Sequence, residues 1–466
     1  MNSEENWGFL TDIVHKTVKT LERKNPTHVE AYYTSTDTTE VAIRNSEILT
    51  QNEKHDSGVG FRIALSENRV GFACTNKIDN ETVLKAGEEA FEIAKVSSSV
   101  PNFSLVESST LPSVKGLFDP RVPETSPEDA VEIAQRTINA AEGFDKRVIA
   151  KDGRVLIASG WVGILNSLRV DYQEQASRVV LYLGGNGEKE GEVTSSCYDI
   201  VFSREIDLDP ETVGENLGKK VIRLFKPKRV KTFQGTVVFG SEAVSTQLTE
   251  VLVDALKGDN VVTGRSAWKG KIGENVASDS LTVIDNPVLE KGFASRTFDD
   301  EGCASRKTVM LRKGALLNHI HNATSANALK TINTGNASRS TGGFDMVKSI
   351  IGDGYRALPI VYPSNLTILP GDKTKEQLVS EIKKGVLVDS MAGFPQAGSG
   401  MVSAQLSNAF FIENGEIQYS IKDGMISGVV FDWLKNVSDV GKDATQSQNA
   451  VVPSLRVEGV KVIGVM

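Results

Sequence analysis

The sequence predicts an α+β protein, in which helices and antiparallel strands form the first part of the chain and strands dominate the last part. Three observations lead to this prediction. The chain has 466 residues, which is too long for one ordinary hydrophobic core, so two or three domains are expected. Its first hundred residues show a helix pattern, several strand patterns and a second helix pattern. From about residue 233 onward, strand patterns are more frequent than helix patterns.

The first module, residues 1–97, is predicted to contain two helices around a set of antiparallel strands. Asn25-Pro26 ends the first helix, because the residue before a proline avoids the helical conformation. Asn45-Ser46 and Glu67-Asn68 are predicted to be hairpin turns. In chain order the predicted elements are a helix at 7–24, strands at 29–33, 39–44, 47–53, 58–66 and 69–75, and a helix at about 80–96.

Two segments are predicted to be linkers. Residues 98–126 are Ser-rich at first and contain four prolines. The basic run Lys226–Lys231 surrounds a proline, and it could contact nucleic acid or serve as a solvated linker between domains. The second interpretation is favoured, because so short a run of charge is more often a solvated segment.

The central module, residues 127–230, is predicted to begin with a helix that runs to about residue 142. Ser126 is a suitable N-cap for this helix, and Pro127 suits its first position. Strands are expected to follow to about residue 204, with a turn at Gly184–Gly187. Asp209-Pro210 is predicted to open another helix.

The third module, residues 231–466, is predicted to be β-rich and to begin with a strand at 235–240 and a helix at 246–259. Apolar residues recur along this helix at steps of three and four, so it is expected to pack on a sheet. Gly258 is predicted to end it in the left-handed conformation. The other predicted elements are a hairpin of 307–311 and 315–321, a Gly-, Ser- and Asn-rich stretch at 331–356, a short helix at 374–384, a hairpin of 401–413 and 416–422, and a strand at about 451–464.

The helix at 246–259 carries one pair of candidate site residues. Glu250 and Asp254 are four residues apart, so they are predicted to share the outer face of the helix. Two carboxylates at this spacing could hold a metal ion or exchange a proton. The simpler interpretation is a solvated helix face.

His319 and His321 form a second candidate pair. They are two residues apart on a predicted strand, so both side chains are expected on one face, with Cys303 nearby in sequence. One interpretation is a metal site. The other is an exposed hairpin that carries two histidines, because the spacing fixes no third ligand.

The helix at 246–259 also resembles a helix of the TldD/PmbA family, the "modulator of DNA gyrase" proteins. In the catalytic TldD branch this helix carries His-Glu-x-x-x-His, followed shortly by Gly-Asp. Here Thr249 and Asp254 stand at the two histidine positions, Glu250 stands at the glutamate position, and Gly258-Asp259 follows. Other segments that are similar in order and spacing are Asp299-Asp300-Glu301-Gly302, Thr334-Gly335-Asn336 and Ile412-Glu413-Asn414-Gly415.

The resemblance implies that this chain itself holds no zinc. A zinc site needs about three protein ligands, usually His, Cys or a carboxylate, and Thr249 is not one of these. The catalytic branch also has a cysteine ligand late in the chain, and the matching region here, 439–449, contains no cysteine. The chain therefore resembles the PmbA/TldE branch, which lacks the zinc motif and pairs with a zinc-containing TldD partner. The family implies an N-terminal α/β lobe and a C-terminal β-rich, metallopeptidase-like domain.

Three functions follow as hypotheses. In the first, the chain is the non-catalytic subunit of a TldD/TldE-type complex that cleaves unfolded or leader peptides, with a TldD-like protein or a second copy of itself as partner. In the second, it is a stand-alone metallopeptidase with Glu250 as general base and non-standard metal ligands. In the third, it regulates DNA gyrase by binding it, as the family's older name implies.

Composition and charge restrict these classes. The formal net charge is −8 and the pI is about 5.4, which argues against a dedicated nucleic-acid binder. The sequence has no apolar run long enough to span a membrane and no recognisable secretory signal. Its three cysteines are too few and too far apart for a disulfide framework. We therefore expect a cytoplasmic protein without direct contact to membrane or nucleic acid.

Overall fold

A computed structural model describes residues 3–339 and 352–464 of the chain. The predicted α+β class and the β-rich C-terminal part are confirmed. Much of the Gly-, Ser- and Asn-rich stretch, residues 340–351, lies outside the described residues. Within the described ranges, no helix is both long and apolar enough to cross a membrane.

The N-terminal lobe, residues 3–225, contains one seven-stranded antiparallel sheet and four helices. Its elements are α1 Ser3–Glu22, β1 His28–Arg44, β2 Glu47–Leu65, β3 Arg69–Thr75, α2 Asn80–Val96, α3 Pro127–Phe144, β4 Val148–Asn166, β5 Asp171–Lys189, β6 Glu192–Val193, β7 Cys197–Ser203 and α4 Pro210–Ile222. The strand order is β3-β2-β1-β4-β5, with β6 and β7 both paired to β5. The helices pack on one face of this sheet, α1 and α2 over β1–β3 and α3 and α4 mainly over β4 and β5. The other face remains open to the rest of the chain.

The pairing of β1 with β4 joins the first and central modules. It is antiparallel and runs from Glu30 opposite Asn166 to Arg44 opposite Asp152. Residues 98–126 form no helix, and they lie against the lobe with apolar side chains such as Phe103 buried. The first 225 residues therefore share a continuous sheet.

The four predicted helices and both predicted hairpin turns of this lobe are confirmed. The predicted turn at Gly184–Gly187 is wrong, because these residues lie inside β5. A Cβ at Gly185 would lie 2.4 Å from the Ile149 carbonyl oxygen, and one at Gly187 would lie 2.5 Å from the Phe225 ring. These glycines allow close packing in a strand rather than a reversal of the chain.

The C-terminal domain, residues 233–464, contains two larger sheets. Its elements are β8 Phe233–Phe239, α5 Ser241–Ala243, α6 Thr249–Leu256, α7 Gly258–Thr263, β9 Val283–Asp285, β10 Thr308–Arg312, β11 Ala315–Leu316, α8 Ala323–Leu329, β12 Ala337–Ser338, β13 Ile360–Val361, β14 Leu366–Ile368, α9 Lys375–Ser380, β15 Lys384–Ala392, β16 Met401–Glu413, β17 Glu416–Ser420, β18 Met425–Val429, α10 Val430–Lys435, β19 Val437–Val440, β20 Thr445–Gln446, β21 Ala450–Val452 and β22 Leu455–Ile463. The order β15-β8-β22-β18-β16 closes into a barrel because β16 also pairs with β15. The second sheet has the order β11-β10-β9-β14-β21-β20.

The helix that the sequence predicts at 246–259 belongs to a longer helix, which consists of α5, a π-helical turn and α6 and ends at Leu256. A π-helical turn, Val244–Leu248, connects α5 to α6, and the combined helix packs on the barrel as predicted. Gly258 does not end it in a left-handed conformation, so that prediction is wrong. Lys257 is extended instead, and Gly258 begins α7. The reason is a β-bridge: the Gly258 amide donates to the Ile320 carbonyl at 2.8 Å, which holds the chain straight at this point.

Buried ion pairs connect the C-terminal domain to the open face of the N-terminal sheet. Arg62 Nη2 lies 2.7 Å from Glu30 Oε2, and Arg62 Nη1 lies 3.0 Å from Glu301 Oε1. Arg339 donates to the other oxygen of Glu30. All four side chains are at most 5% exposed, so the contact between the lobes contains a compact charged core.

Candidate functional site

A cavity of about 1220 Å³ lies between the N-terminal sheet and the C-terminal domain. One wall is the open face of β1, β4, β5 and β7. The opposite wall is formed by the helix from α5 to α6 and by residues 445–450, which include β20. The interior is mixed, with tyrosines, aliphatic side chains and charged side chains of both signs. A cavity of this size at the contact between two lobes is the default candidate for a binding site.

The structure places two of the three predicted site residues at this cavity. Thr249 and Glu250 line it, whereas Asp254 is not part of its wall. The Thr249 hydroxyl donates to the backbone carbonyl of Ser245, one turn earlier. The Asp254 carboxylate accepts from Asn260 Nδ2 at 2.6 Å. Only Glu250 therefore offers an exposed carboxylate to the cavity from this helix.

The residues at the family's zinc positions do not fit a zinc ion. Thr249 and Asp254 are occupied by the hydrogen bonds just described, and they do not converge on one point of the cavity. The segment that matches the family's cysteine region supplies hydroxyl and amide groups, of which Ser447 accepts a hydrogen bond from the Ser245 hydroxyl at 2.7 Å. Across residues 3–339 and 352–464, no three His, Cys, Asp or Glu side chains are grouped so as to hold a metal.

A cluster of charged side chains on the cavity wall was not predicted. Lys220 Nζ lies 2.8 Å from Asp199 Oδ1 and 3.6 Å from Glu242 Oε2, and it lies over the Tyr198 ring at 5.9 Å. Burial would lower the pKa of Lys220, but the two carboxylates raise it, so the ammonium group stays charged. Burial raises the pKa of Glu242 to about 7, against the opposing effect of Lys220. These residues come from β7, α4 and α5, so no spacing in the sequence connects them.

Two tyrosines contribute hydroxyl groups next to carboxylates. Tyr182 donates its hydroxyl to Asp152 Oδ2 at 2.8 Å, and its ring centroid lies 5.7 Å from that of Tyr198. Burial, together with the nearby charge of Glu250, raises the pKa of the Tyr362 hydroxyl to about 12. The cavity thus presents phenol hydroxyl groups beside carboxyl groups.

His319 and His321 lie away from this cavity wall, and the expectation that they are exposed is wrong. They are 6% and 5% exposed, because the chain leaves β11 and packs under α6 and α7. Their ring centroids are 6.5 Å apart, and no third ligand joins them among the described residues. Burial lowers the pKa of both rings, that of His321 to about 4, so both are neutral at pH 7.

Acid is expected to destabilise the protein through His321. Its pKa is about 4 in the folded chain and 6.5 when unperturbed, so between these values the unfolded state binds the proton. The stabilisation is present above pH 6.5 and is lost as the pH falls towards 4. At about 1.4 kcal/mol per pKa unit the loss reaches about 3 kcal/mol. The urea midpoint of the natural chain should therefore fall between neutral pH and pH 4, and in His321→Gln it should fall by less. An equal fall in both proteins would contradict the prediction.

Comparison with known proteins assigns the chain to a family. PmbA/TldA metallopeptidase domain 1 matches residues 29–94, the central domain of the same family matches 120–225, and its C-terminal domain matches 232–464. The last match alone covers half of the chain. The chain belongs to the PmbA/TldD family. The predicted membership of this family is thereby confirmed.

Relatives in this family carry the names of both branches. A protein named a metalloprotease from Methanothermobacter thermautotrophicus is 30% identical over 410 residues, which cover 84% of each chain. Metalloprotease PmbA of Escherichia coli O157:H7 is 26% identical over 440 residues, covering 91% of this chain and 89% of that one. A metalloprotease TldD homolog of Buchnera aphidicola is 24% identical over 417 residues, covering 86% and 82%. The crystal structure of TldE from Thermococcus kodakarensis has the same fold, with a TM-score of 0.87 at 24% identity over 97% of this chain and 100% of that one.

Proposed function

We propose that this chain is the metal-free, TldE-like subunit of a cytoplasmic TldD/TldE-type metalloprotease complex that cleaves unfolded or leader peptides. One observation carries the proposal: a large cavity lies beside the helix that matches the family's zinc helix, while the ligand positions hold Thr249 and Asp254 in other hydrogen bonds. A wall without a metal can still shape a substrate channel. Zinc and the bond-breaking chemistry then reside in a TldD-like partner.

The cavity wall is suited to an extended peptide. Thr445–Gln446 is the last strand of its sheet, and it lines the cavity. A strand at a sheet edge presents unpaired backbone groups, and a peptide can add to it as a further strand. The side chains of the peptide would then alternate between the two walls of the cavity.

The test combines metal content, partner binding and peptidase activity. We expect the purified chain to hold well under one zinc per chain and to cleave no unfolded peptide alone. Mixed with a TldD-like protein, it should form a complex by size-exclusion chromatography, and that complex should cleave the peptide. Glu250→Gln is expected to leave the zinc content of the complex unchanged, because Glu250 belongs to no group of potential metal ligands in the part of the chain that the structure describes.

The opposite result identifies a different function. About one zinc per chain, together with cleavage by the chain alone that is lost in Glu250→Gln, would show a stand-alone metallopeptidase. A second variant, Asp207→Asn, changes an exposed carboxylate that is not part of the cavity wall and serves as the control for nonspecific effects.

A further inference from the structure

We infer that the cavity contains a subsite for a basic side chain of a bound peptide, formed by Asp152 and the ring of Tyr182; this rests on the proposed peptide-binding function. Such a subsite would select a lysine or arginine in the peptide. Two neighbouring places on the same sheet face combine a tyrosine ring with a carboxylate.

The first place is occupied by the protein's own lysine. Lys220 combines three contacts: an aromatic ring, Tyr198, and two carboxylates, Asp199 and Glu242. Such a combination stabilises an ammonium group, because the negative ring face and the carboxylates both attract it. On this cavity wall, an ammonium group is therefore held by an aromatic ring together with carboxyl groups.

The second place has the same chemistry without a cation. Tyr182 and Asp152 lie on adjacent strands and are joined by the hydroxyl–carboxylate hydrogen bond of 2.8 Å. Asp152 is exposed and forms no ion pair within the part of the chain that the structure describes. In the same part, no lysine or arginine lies over the Tyr182 ring.

A glycine sets the position of the Tyr182 ring. Gly184 lies between Asp152 and Tyr198 in the strand register. A Cβ at this position would lie 2.7 Å from the Tyr182 hydroxyl and 2.9 Å from Asp152 Oδ1. Because residue 184 has no side chain, the Tyr182 hydroxyl can reach Asp152, and both residues line the cavity.

Of the cationic side chains Arg154, Lys151 and Arg44, which neighbour Asp152 and Tyr182, the first two form ion pairs with other carboxylates. Arg154 lies opposite Tyr182 but pairs with Glu40 at 3.4 Å, and Lys151 pairs with Glu188 at 2.8 Å. Arg44 is opposite Asp152 in the β1–β4 register, and it is exposed without lying within ion-pair distance of that carboxylate. Among the described residues, no lysine or arginine lies within ion-pair distance of Asp152, so its carboxylate is available to a cation that the peptide brings, in competition with Arg44.

The experiment measures binding of matched peptides to the full-length chain by fluorescence anisotropy. Three dye-labelled unstructured hexapeptides differ at one central position, which is lysine, norleucine or glutamate. We expect the lysine peptide to bind about tenfold more tightly than the norleucine peptide, which has the same aliphatic stem without the charge. The glutamate peptide should bind most weakly, and added salt should reduce these differences.

Three variants test whether the preference for the lysine peptide depends on Asp152 and Tyr182. Asp152→Asn is expected to reduce the lysine preference to under about twofold, whereas Tyr182→Phe, which keeps the ring, should retain most of it. Glu250→Gln is the matched control, because it neutralises another exposed carboxylate of the same cavity. Equal affinities for lysine and norleucine, or an equal loss of preference in Glu250→Gln and Asp152→Asn, would overturn the subsite. If none of the peptides binds, the proposed peptide-binding function fails with it, whereas binding without charge preference removes only the subsite.

Discussion

Replacing Glu30 by alanine is expected to lower the free energy of unfolding by about 3–5 kcal/mol. Glu30 is fully buried between the lobes, and its two oxygens accept hydrogen bonds from Arg62 and Arg339. Without it, Arg339 loses its carboxylate partner, and Arg62 retains only Glu301. A charged arginine that is buried without a counter-charge has a higher free energy than one in water. The arginine charges that remain buried therefore lower the free energy of unfolding of the variant.

Urea unfolding followed by tryptophan fluorescence can measure this loss. Trp7 and Trp161 report on the N-terminal lobe, and Trp268 and Trp433 report on the C-terminal domain. Because two lobes can unfold separately, the midpoint of each transition is compared rather than one overall value. We expect both transitions to move to lower urea, since Glu30 lies at the contact between the lobes.

Two further variants test whether the loss of a buried charge causes the destabilisation. Glu30→Gln keeps the shape of the side chain and loses its charge, so it should fall between the natural chain and Glu30→Ala. Glu188→Gln breaks an exposed pair with Lys151, and its expected cost is under about 1 kcal/mol. If Glu30→Ala costs no more than Glu188→Gln, the buried ion pairs do not hold the lobes together.

The local elements were predictable from the sequence because their signals are local. Ser126 and Asp129 form the capping box at the start of α3, and both Asn45 and Asn414 adopt the positive φ that a tight hairpin needs. These features depend on a few neighbouring residues and on backbone preferences. The class of the fold follows from the order of such elements.

The burial of charged residues was not predictable in the same way. Glu30 stands in the alternating segment that begins β1, where its polar side chain would be assigned to a solvated face. It is buried because that face is covered by the C-terminal domain, which begins only at residue 232. The cavity cluster around Lys220 was missed because its members come from three different elements, β7, α4 and α5, which only the folded chain brings together.

The prediction for Gly184–Gly187 failed through an ambiguity of glycine itself. Glycine permits a turn, but it also permits close approach of two chains. The sequence does not distinguish these uses, because the partner atoms, such as the Ile149 carbonyl next to Gly185, come from another strand. The same ambiguity applies to Gly258, for which a left-handed helix end was expected.

Gly258→Ala is expected to destabilise the protein by about 3 kcal/mol, because the added methyl group has no space. Its Cβ would lie 2.1 Å from Nδ1 of His321 and 2.8 Å from the carbonyl oxygen of Ile320. His321 cannot easily move, since its amide donates to the Thr334 hydroxyl at 2.6 Å and its carbonyl accepts from the Asn336 amide at 3.1 Å. The bridge between Lys257 and Ile320 would therefore have to open.

Heat unfolding of a matched pair of variants separates packing from the usual effect of glycine in a helix. Gly8→Ala places a methyl group in α1 where nothing lies within 4 Å, so it should stabilise the protein by about 1 kcal/mol. Combining Gly258→Ala with His321→Ala removes the ring that the methyl group meets. The double variant should therefore lose less stability than the sum of the losses in the two single variants. If Gly258→Ala raises the midpoint as Gly8→Ala does, close packing does not explain this glycine. If it lowers the midpoint and the double variant recovers part of the loss, the absence of a side chain at Gly258 is what allows α7 to begin next to His321.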